Sequence, residues 1–196
     1  MNNIVKPVAC KIREVRRESL HEYTFRVETD IRPSHGQLLQ LSIPKVGEAP
    51  ISVSSFGDGW MDFIRSVGKV TDEIFDKQPG DILFLRGAYG KGWPVEQFQG
   101  KHMVVITGGT GLAPVKSMLN MFWEQEDFVK SVHLISGFKN EDGIIFKHDL
   151  DRWKEKFTTI YALDTDRKDG WETGFVTEFV SRIPFKDFGE DYSVVV

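Results

Sequence analysis

Near the middle of the sequence a short apolar and β-branched run enters a cluster of glycines: Val104, Val105, Ile106 and Thr107 lead into Gly108, Gly109, Thr110, Gly111, Leu112, Ala113 and Pro114. Apolar residues then recur at Val115, Met118, Leu119 and Phe122, the spacing of one helix face. The segment reads as strand, tight turn, helix. This limits the fold more than any other stretch, because a buried strand feeding a helix is the repeating unit of a parallel α/β sheet. Where turn residues lack Cβ, a phosphate can approach the backbone, and amides at a helix start turn partial positive charge toward it. Gly108, Gly109, Thr110, Gly111, Leu112 and Ala113 are therefore candidate contacts for a nucleotide pyrophosphate. The plainer alternative is a sharp turn and nothing more. A G-x-G-x-x-G fingerprint would have glycine where Pro114 stands, and a P-loop would have it before Lys116, where Val115 stands.

Beyond Gln99-Gly100-Lys101, apolar runs at Met103 to Ile106, Val132 to Ile135, Thr159 to Leu163 and Ser193 to Val196 alternate with helical stretches. Those stretches are Val115 to Glu126, Phe146 to Lys156 and Thr177 to Arg182. Strands apolar on both faces with helices between them predict a parallel α/β sheet over residues 99–196. Ligands bind such sheets at the carboxyl ends of the strands. Ser136 to Lys139 and Asp164 to Arg167 follow strand ends and join the glycine turn as candidate dinucleotide contacts, although each serves equally as a solvent-facing loop.

Residues 1–98 have a different texture. Short alternating runs (Cys10, Ile12, Val15; Tyr23, Phe25, Val27; Leu39, Leu41, Ile43; Trp60 to Val67; Asp81 to Arg86) are separated by turn residues. They predict antiparallel strands closed into a small barrel, since closure removes exposed edges. In Trp60-Met61-Asp62-Phe63-Ile64-Arg65 the alternation slips at Phe63-Ile64, which predicts a bulge or an omitted residue there. Two segments look chemical. Ala49-Pro50-Ile51-Ser52 places a hydroxyl beside a rigid proline, suited to an apolar ring system needing a few hydrogen bonds. Arg65 through Thr71 precedes a short helical turn whose amides, with Arg65 and Lys69, would suit a second pyrophosphate; the alternative is an ordinary helix capped by Thr71.

Composition excludes several classes. A net charge of −4 with dispersed basic residues argues against nucleic acid. Cys10 is the only cysteine, so the sequence carries no disulfide framework and no ligand set for an iron-sulfur cluster, and a reducing compartment is expected. The histidines lack metal-ligand spacing and no G-x-S-x-G elbow occurs. Neither a leader peptide's apolar core nor a run approaching the roughly 20 residues of a membrane span is present, so a cytoplasmic protein without a membrane span is expected.

The T-G-G-T-G-x-A-P turn at Thr107 to Pro114 resembles that of the ferredoxin-NADP reductase superfamily. The running order agrees as well: barrel, P-I-S, R-x-V-G-x-V-T, then Arg86-Gly87-Ala88-Tyr89-Gly90, then the glycine turn. Gly47 to Ser52 and Arg86 to Pro94 narrow the likeness to electron-transfer subunits of multi-subunit enzymes, namely those of anaerobic sulfite reductase and of sulfhydrogenase (its gamma subunit), with the dihydroorotate dehydrogenase electron-transfer subunit as a more distant relative. The resemblance implies FAD on the barrel, contacted by Pro50, Ile51 and Ser52, with Ser52 as the catalytic contact near flavin N5. It assigns Arg65, Gly68, Lys69, Val70 and Thr71 to the ribityl and phosphates. The glycine turn would take NADH, or NADPH if a basic group beyond Lys139 held a 2'-phosphate.

It also implies catalytic and iron-sulfur subunits as partners and a two-iron cluster whose ligands are absent here. The superfamily's R-x-Y-S is replaced by Ala49-Pro50-Ile51-Ser52, so the phosphate-pairing arginine and the stacking tyrosine are missing. Relatives continue past the strand at Ser193 to Val196 into a turn beside the nicotinamide, so a truncated chain is expected. The rival reading is a non-catalytic protein that scaffolds a complex or binds nucleotide without turnover.

Overall fold

The computed structural model describes residues 6–66 and 68–196. Val67, the end of the strand expected from Trp60, and the first five residues lie outside the described residues. The chain divides into two compact units, Met1–Trp93 with Ala113–Met118, and Pro94–Leu112 with Leu119–Val196.

Six strands build the first unit: β1 (Val8–Arg17), β2 (Tyr23–Glu28), β3 (Leu38–Ile43), β4 (Gly47–Gly57), β5 (Trp60–Arg65) and β6 (Ile82–Tyr89). They close into a barrel in the order β1-β2-β5-β4-β3-β6, with antiparallel neighbours throughout. Alternation decides the faces. Leu39, Leu41, Ile51, Met61, Leu83 and Leu85 fill the interior, whereas Ile82 and Phe84 on β6 turn outward.

The irregularity expected at Phe63-Ile64 lies on the neighbouring strand instead. β5 pairs with β2 in unbroken register from Glu28↔Trp60 to Tyr23↔Arg65. Against β4, the register shifts between Val53↔Phe63 and Ser55↔Asp62, so Ser54 is the extra residue. The apparent slip on β5 has another cause, which is that Met61 through Arg65 are buried on both faces. Asp62 on the outer face accepts from Arg26 Nε at 2.7 Å and Nη2 at 2.8 Å, and from Arg16 Nη2 at 2.8 Å, which satisfies a carboxylate only 3% exposed.

The second unit contains β7 (His102–Gly108), β8 (Ser131–Phe138), β9 (Thr158–Leu163), β10 (Glu172–Thr173) and β11 (Tyr192–Val195) in the parallel order β10-β9-β8-β7-β11. Strand β10 has no counterpart in the sequence expectation. A two-residue pairing has no period to read. Helix α1 (Ala113–Glu124) starts two residues before the expected Val115, with Pro114 in its first turn, where a missing N–H is harmless. Helix α2 (Lys147–Trp153) begins after Phe146, whose φ of 54° cannot continue a helix backward. The segment expected at Thr177 to Arg182 is a 3-10 helix over Val176–Arg182, and α3 (Phe185–Phe188) follows it. From Val132 to Phe138, β8 is buried throughout, the signature of a strand covered on both faces.

Candidate functional site

The glycine turn sits where β7 passes into α1. Thr107 closes the buried part of the strand, and Gly109 to Leu112 form a single 3-10 turn. Only Gly109 has a positive φ, at 52°. A Cβ built on Gly108, Gly109 or Gly111 meets no protein atom within 4 Å. Packing inside the protein therefore does not exclude a side chain at Gly108 or Gly111, and backbone angle does not demand glycine there. The open space leaves room for close approach by a pyrophosphate over a helix start. Leu112 and Ala113 are buried and anchor the turn, while Thr110 is exposed.

At the same strand ends, Thr107 Oγ1 and Ser136 Oγ are 2.9 Å apart, tying β7 to β8. Ser136 is fully buried, and a Cβ on Gly137 would lie 2.5 Å from Val176. Both therefore have packing reasons that the sequence did not reveal. Beyond them Lys139 is exposed, Lys168 is ion-paired with Glu141, and Asp166 Oδ2 accepts from the Glu141 amide at 2.8 Å. Carboxylates and basic groups share these loops: Glu141, Asp142 and Asp166 with Lys139, Arg167 and Lys168.

On the barrel the site residues separate by strand parity. Pro50 is exposed and Ser52 half-buried on the outer face of β4, whereas Ile51 belongs to the barrel core at 6% exposure. Of the expected ring contacts, the structure brings Pro50 and Ser52 to one surface and turns Ile51 away from it. Gln40 on β3 pairs with Pro50 on one side and Arg86 of β6 on the other. Its Oε1 is sealed from solvent with no hydrogen-bond partner among the described residues. A buried acceptor without a donor costs about 1–3 kcal/mol. The outward proline and hydroxyl of Pro50 and Ser52 fit the apolar ring and hydrogen-bonding edge of a flavin.

Gly68, Lys69, Val70 and Thr71 lie together in one turn leading to a 3-10 helix over Thr71–Ile74, with Lys69 exposed. Thr71 is not its cap: the Oγ1 donates to Ser66 O at 2.7 Å and to Gly68 O at 3.1 Å, stitching the turn from behind. Arg65 is 3% exposed and donates to Thr71 O at 3.0 Å, His21 O at 3.1 Å and Asp72 Oδ1 at 2.6 Å. It shapes the turn from inside, and its guanidinium is committed to protein acceptors.

The sequence did not show how two groups of residues pair. Within the first unit, Lys116 Nζ donates to Ser55 Oγ at 2.9 Å, Trp93 Nε1 donates to Pro114 O at 2.8 Å, and His35 Nδ1 lies 3.0 Å from Ser117 Oγ. Trp93 also explains Gly36, where a Cβ would fall 2.5 Å from the indole. On the outer barrel face Arg86 donates through Nε to Glu48 Oε1 at 2.9 Å and through Nη2 to Oε2, and Ser42 Oγ donates to Oε1 at 2.5 Å. These bonds hold the Glu48 carboxyl down at about 2. Nothing in the local sequence around residue 48 or 86 pairs them; the pairing spans β3. Cys10 is enclosed in the barrel core, its thiol pushed up by burial, so this chain does not fit the thiolate set of an iron-sulfur cluster. Among the described residues no helix is long and apolar enough to cross a membrane.

The oxidoreductase NAD-binding domain family matches residues 105–191. The chain is 31% identical over 186 residues to a probable dihydroorotate dehydrogenase B (NAD(+)) electron transfer subunit of Methanopyrus kandleri, covering 93% of this chain and 67% of that protein. It is 32% identical over 123 residues to sulfhydrogenase 1 subunit gamma of Pyrococcus furiosus, covering 61% of this chain and 42% of the relative. Among solved structures, a ferredoxin NADP+ reductase from Neisseria gonorrhoeae with bound FAD and NADP superposes with a TM-score of 0.81 at 21% identity, over 96% of this chain and 84% of the other. Amycolatopsis cytochrome P450 reductase GcoB gives 0.82 at 21% identity, over 96% and 60%. At that identity the structural likeness is one of fold.

Proposed function

The chain belongs to the family of electron-transfer subunits with the ferredoxin-NADP reductase-like fold, and from that premise we propose that it takes hydride from a nicotinamide dinucleotide onto FAD and passes the electrons to a partner subunit. The observation that carries this reading is the glycine turn, where Gly108 and Gly111 leave room that no protein atom within 4 Å of their Cβ positions would fill. Flavin supplies an acceptor of hydride that can release electrons one at a time. The chain's own residues supply position. The Gly108–Ala113 backbone would hold the pyrophosphate, Pro50 and Ser52 would contact the flavin ring, and Gly68 to Thr71, with Lys69 at the surface, would receive the flavin phosphates.

NADH is the proposed donor rather than NADPH, because Lys168 is engaged by Glu141 and Lys139 has carboxylates for neighbours. The proposed partner is the catalytic subunit of a multi-subunit reductase or hydrogenase; the sulfhydrogenase gamma relative supports the latter, and a sulfite reductase form rests on the motif resemblance alone. A cytoplasmic location is part of the same proposal. One observation favours the rival, a nucleotide-binding protein without turnover: Ile51 faces the core and Arg65 is bound up in the protein, so two expected flavin contacts do not reach the outer surface.

Anaerobic titration of the FAD-reconstituted protein with NADH and then NADPH separates the readings. Bleaching of bound flavin by NADH at lower concentration than NADPH is expected. Retained FAD that neither nucleotide bleaches would favour the non-catalytic reading, and failure to retain FAD would defeat the flavoprotein reading.

A further inference from the structure

The flavin strand lacks the arginine and the tyrosine that the superfamily motif carries, with Ala49 and Ile51 in their places. An arginine and a tyrosine nevertheless stand on the same outer surface, delivered by another strand. Arg86 faces outward next to Gln40, which itself neighbours Pro50. Tyr89, three residues on, would face the barrel interior if β6 were regular. The register of β3 against β6 shifts between Leu39↔Gly87 and Leu38↔Tyr89, so Ala88 is extra and Tyr89 returns to the outer face. Leu38 then has Tyr89 on one side and Ser52 on the other. Two strand spacings, about 10 Å, separate them, a distance that a fused three-ring system bridges.

The arrangement is fixed from behind. Arg86 Nη1 donates to Tyr89 Oη at 2.8 Å, and the guanidinium stands 5.5 Å from the ring centroid. Glu48 holds the rest of that guanidinium through paired hydrogen bonds. Because Glu48 already pairs with Arg86, the cluster does not offer a bare cation to a phosphate. It offers an oriented aromatic ring.

Resting on the flavoprotein reading above, we infer that Tyr89 contacts the flavin in place of the missing motif tyrosine: Tyr89 packs against the ring system, and Arg86 acts as the positioning residue for it. This extends the flavin surface from β4 across β3 to β6, beyond the Pro50 to Ser52 segment.

The test uses the full chain and measures FAD affinity by fluorescence titration, together with the emission of bound FAD. A tyrosine in contact with a flavin quenches its emission by electron transfer, and phenylalanine does not. Tyr89→Phe keeps the packing and is expected to raise bound-flavin emission while affinity stays within about threefold; Tyr89→Ala is expected to weaken FAD binding by about tenfold. Arg86→Gln is expected to raise emission in the same direction, as Tyr89 loses its anchor. Tyr192→Phe, in the other unit, is the control and leaves emission unchanged.

If the wild-type chain retains FAD but Tyr89→Phe leaves emission unchanged and Tyr89→Ala leaves affinity unchanged, the inference is overturned and the flavoprotein reading stands. If the wild-type chain does not retain FAD, both fall.

Discussion

Single residues carry the nucleotide argument. Gly111 lies in a 3-10 turn, without a positive φ, and with open space where its Cβ would be. Gly111→Ala is therefore expected to leave the fold intact or raise its stability by up to about 1 kcal/mol. The same substitution is expected to raise the NADH dissociation constant about tenfold, a loss of roughly 1.4 kcal/mol. Calorimetric titration paired with a melting curve checks both halves; a glycine kept only for the turn would show the opposite pattern, with stability lost and affinity kept. His133 shows what burial does without a partner. Its Nδ1 has no hydrogen-bond partner among the described residues, and burial, followed by the neighbouring His102, holds its pKa below the ordinary 6.5. The folded chain thus resists a proton that the unfolded chain accepts. Stability is expected to fall as pH drops below about 6.5 and to be insensitive to this group above it. His133→Leu should flatten that part of a pH series of urea midpoints, and an unchanged slope would show that another group titrates.

At the level of elements, bulges decide which side chains share a face. Ser54 adds one residue to β4, so Ser52 and Pro50 keep their register with β3 while Ser55 and Phe56 keep theirs with β5. Deleting Ser54 sets those two registers against each other by one residue, and the barrel unit is expected not to fold. Ser54→Ala loses only a long hydrogen bond, 3.3 Å to Asp62 O, and should cost about 1 kcal/mol or less. Far-ultraviolet circular dichroism of the deletion beside the substitution distinguishes a register requirement from a side-chain one. Ala88 plays the corresponding part on β6 for Tyr89. Neither bulge is visible as a break in the sequence pattern, because the slip at Phe63-Ile64 that suggested one arises from burial on both faces of β5.

For the whole molecule, two compact units, each with its own buried core, predict that unfolding need not be a single transition. NADH at a hundred times its dissociation constant should stabilise the unit that holds the glycine turn by about 2.7 kcal/mol, and FAD should act on the barrel. Differential scanning calorimetry with each ligand separately reads this; a shift of the same transition by both ligands would contradict it. The architecture was legible in the sequence because the two units write their burial in different periods. Alternation over short runs gave the barrel, continuous apolar runs with helices between them gave the parallel sheet, and a glycine cluster after a buried strand marked the turn proposed for the nucleotide. These are local patterns, fixed by neighbours along the chain. Tertiary structure alone decided what depends on neighbours in space. It turned Ile51 into the core, closed the acceptors of Arg65 within the protein, placed Ser54 and Ala88 as the extra residues, and set Arg86 against Glu48 across β3. A sequence records the type of a side chain, but its partners are chosen by strand pairing, and a one-residue change of register moves every side chain that follows to the opposite face.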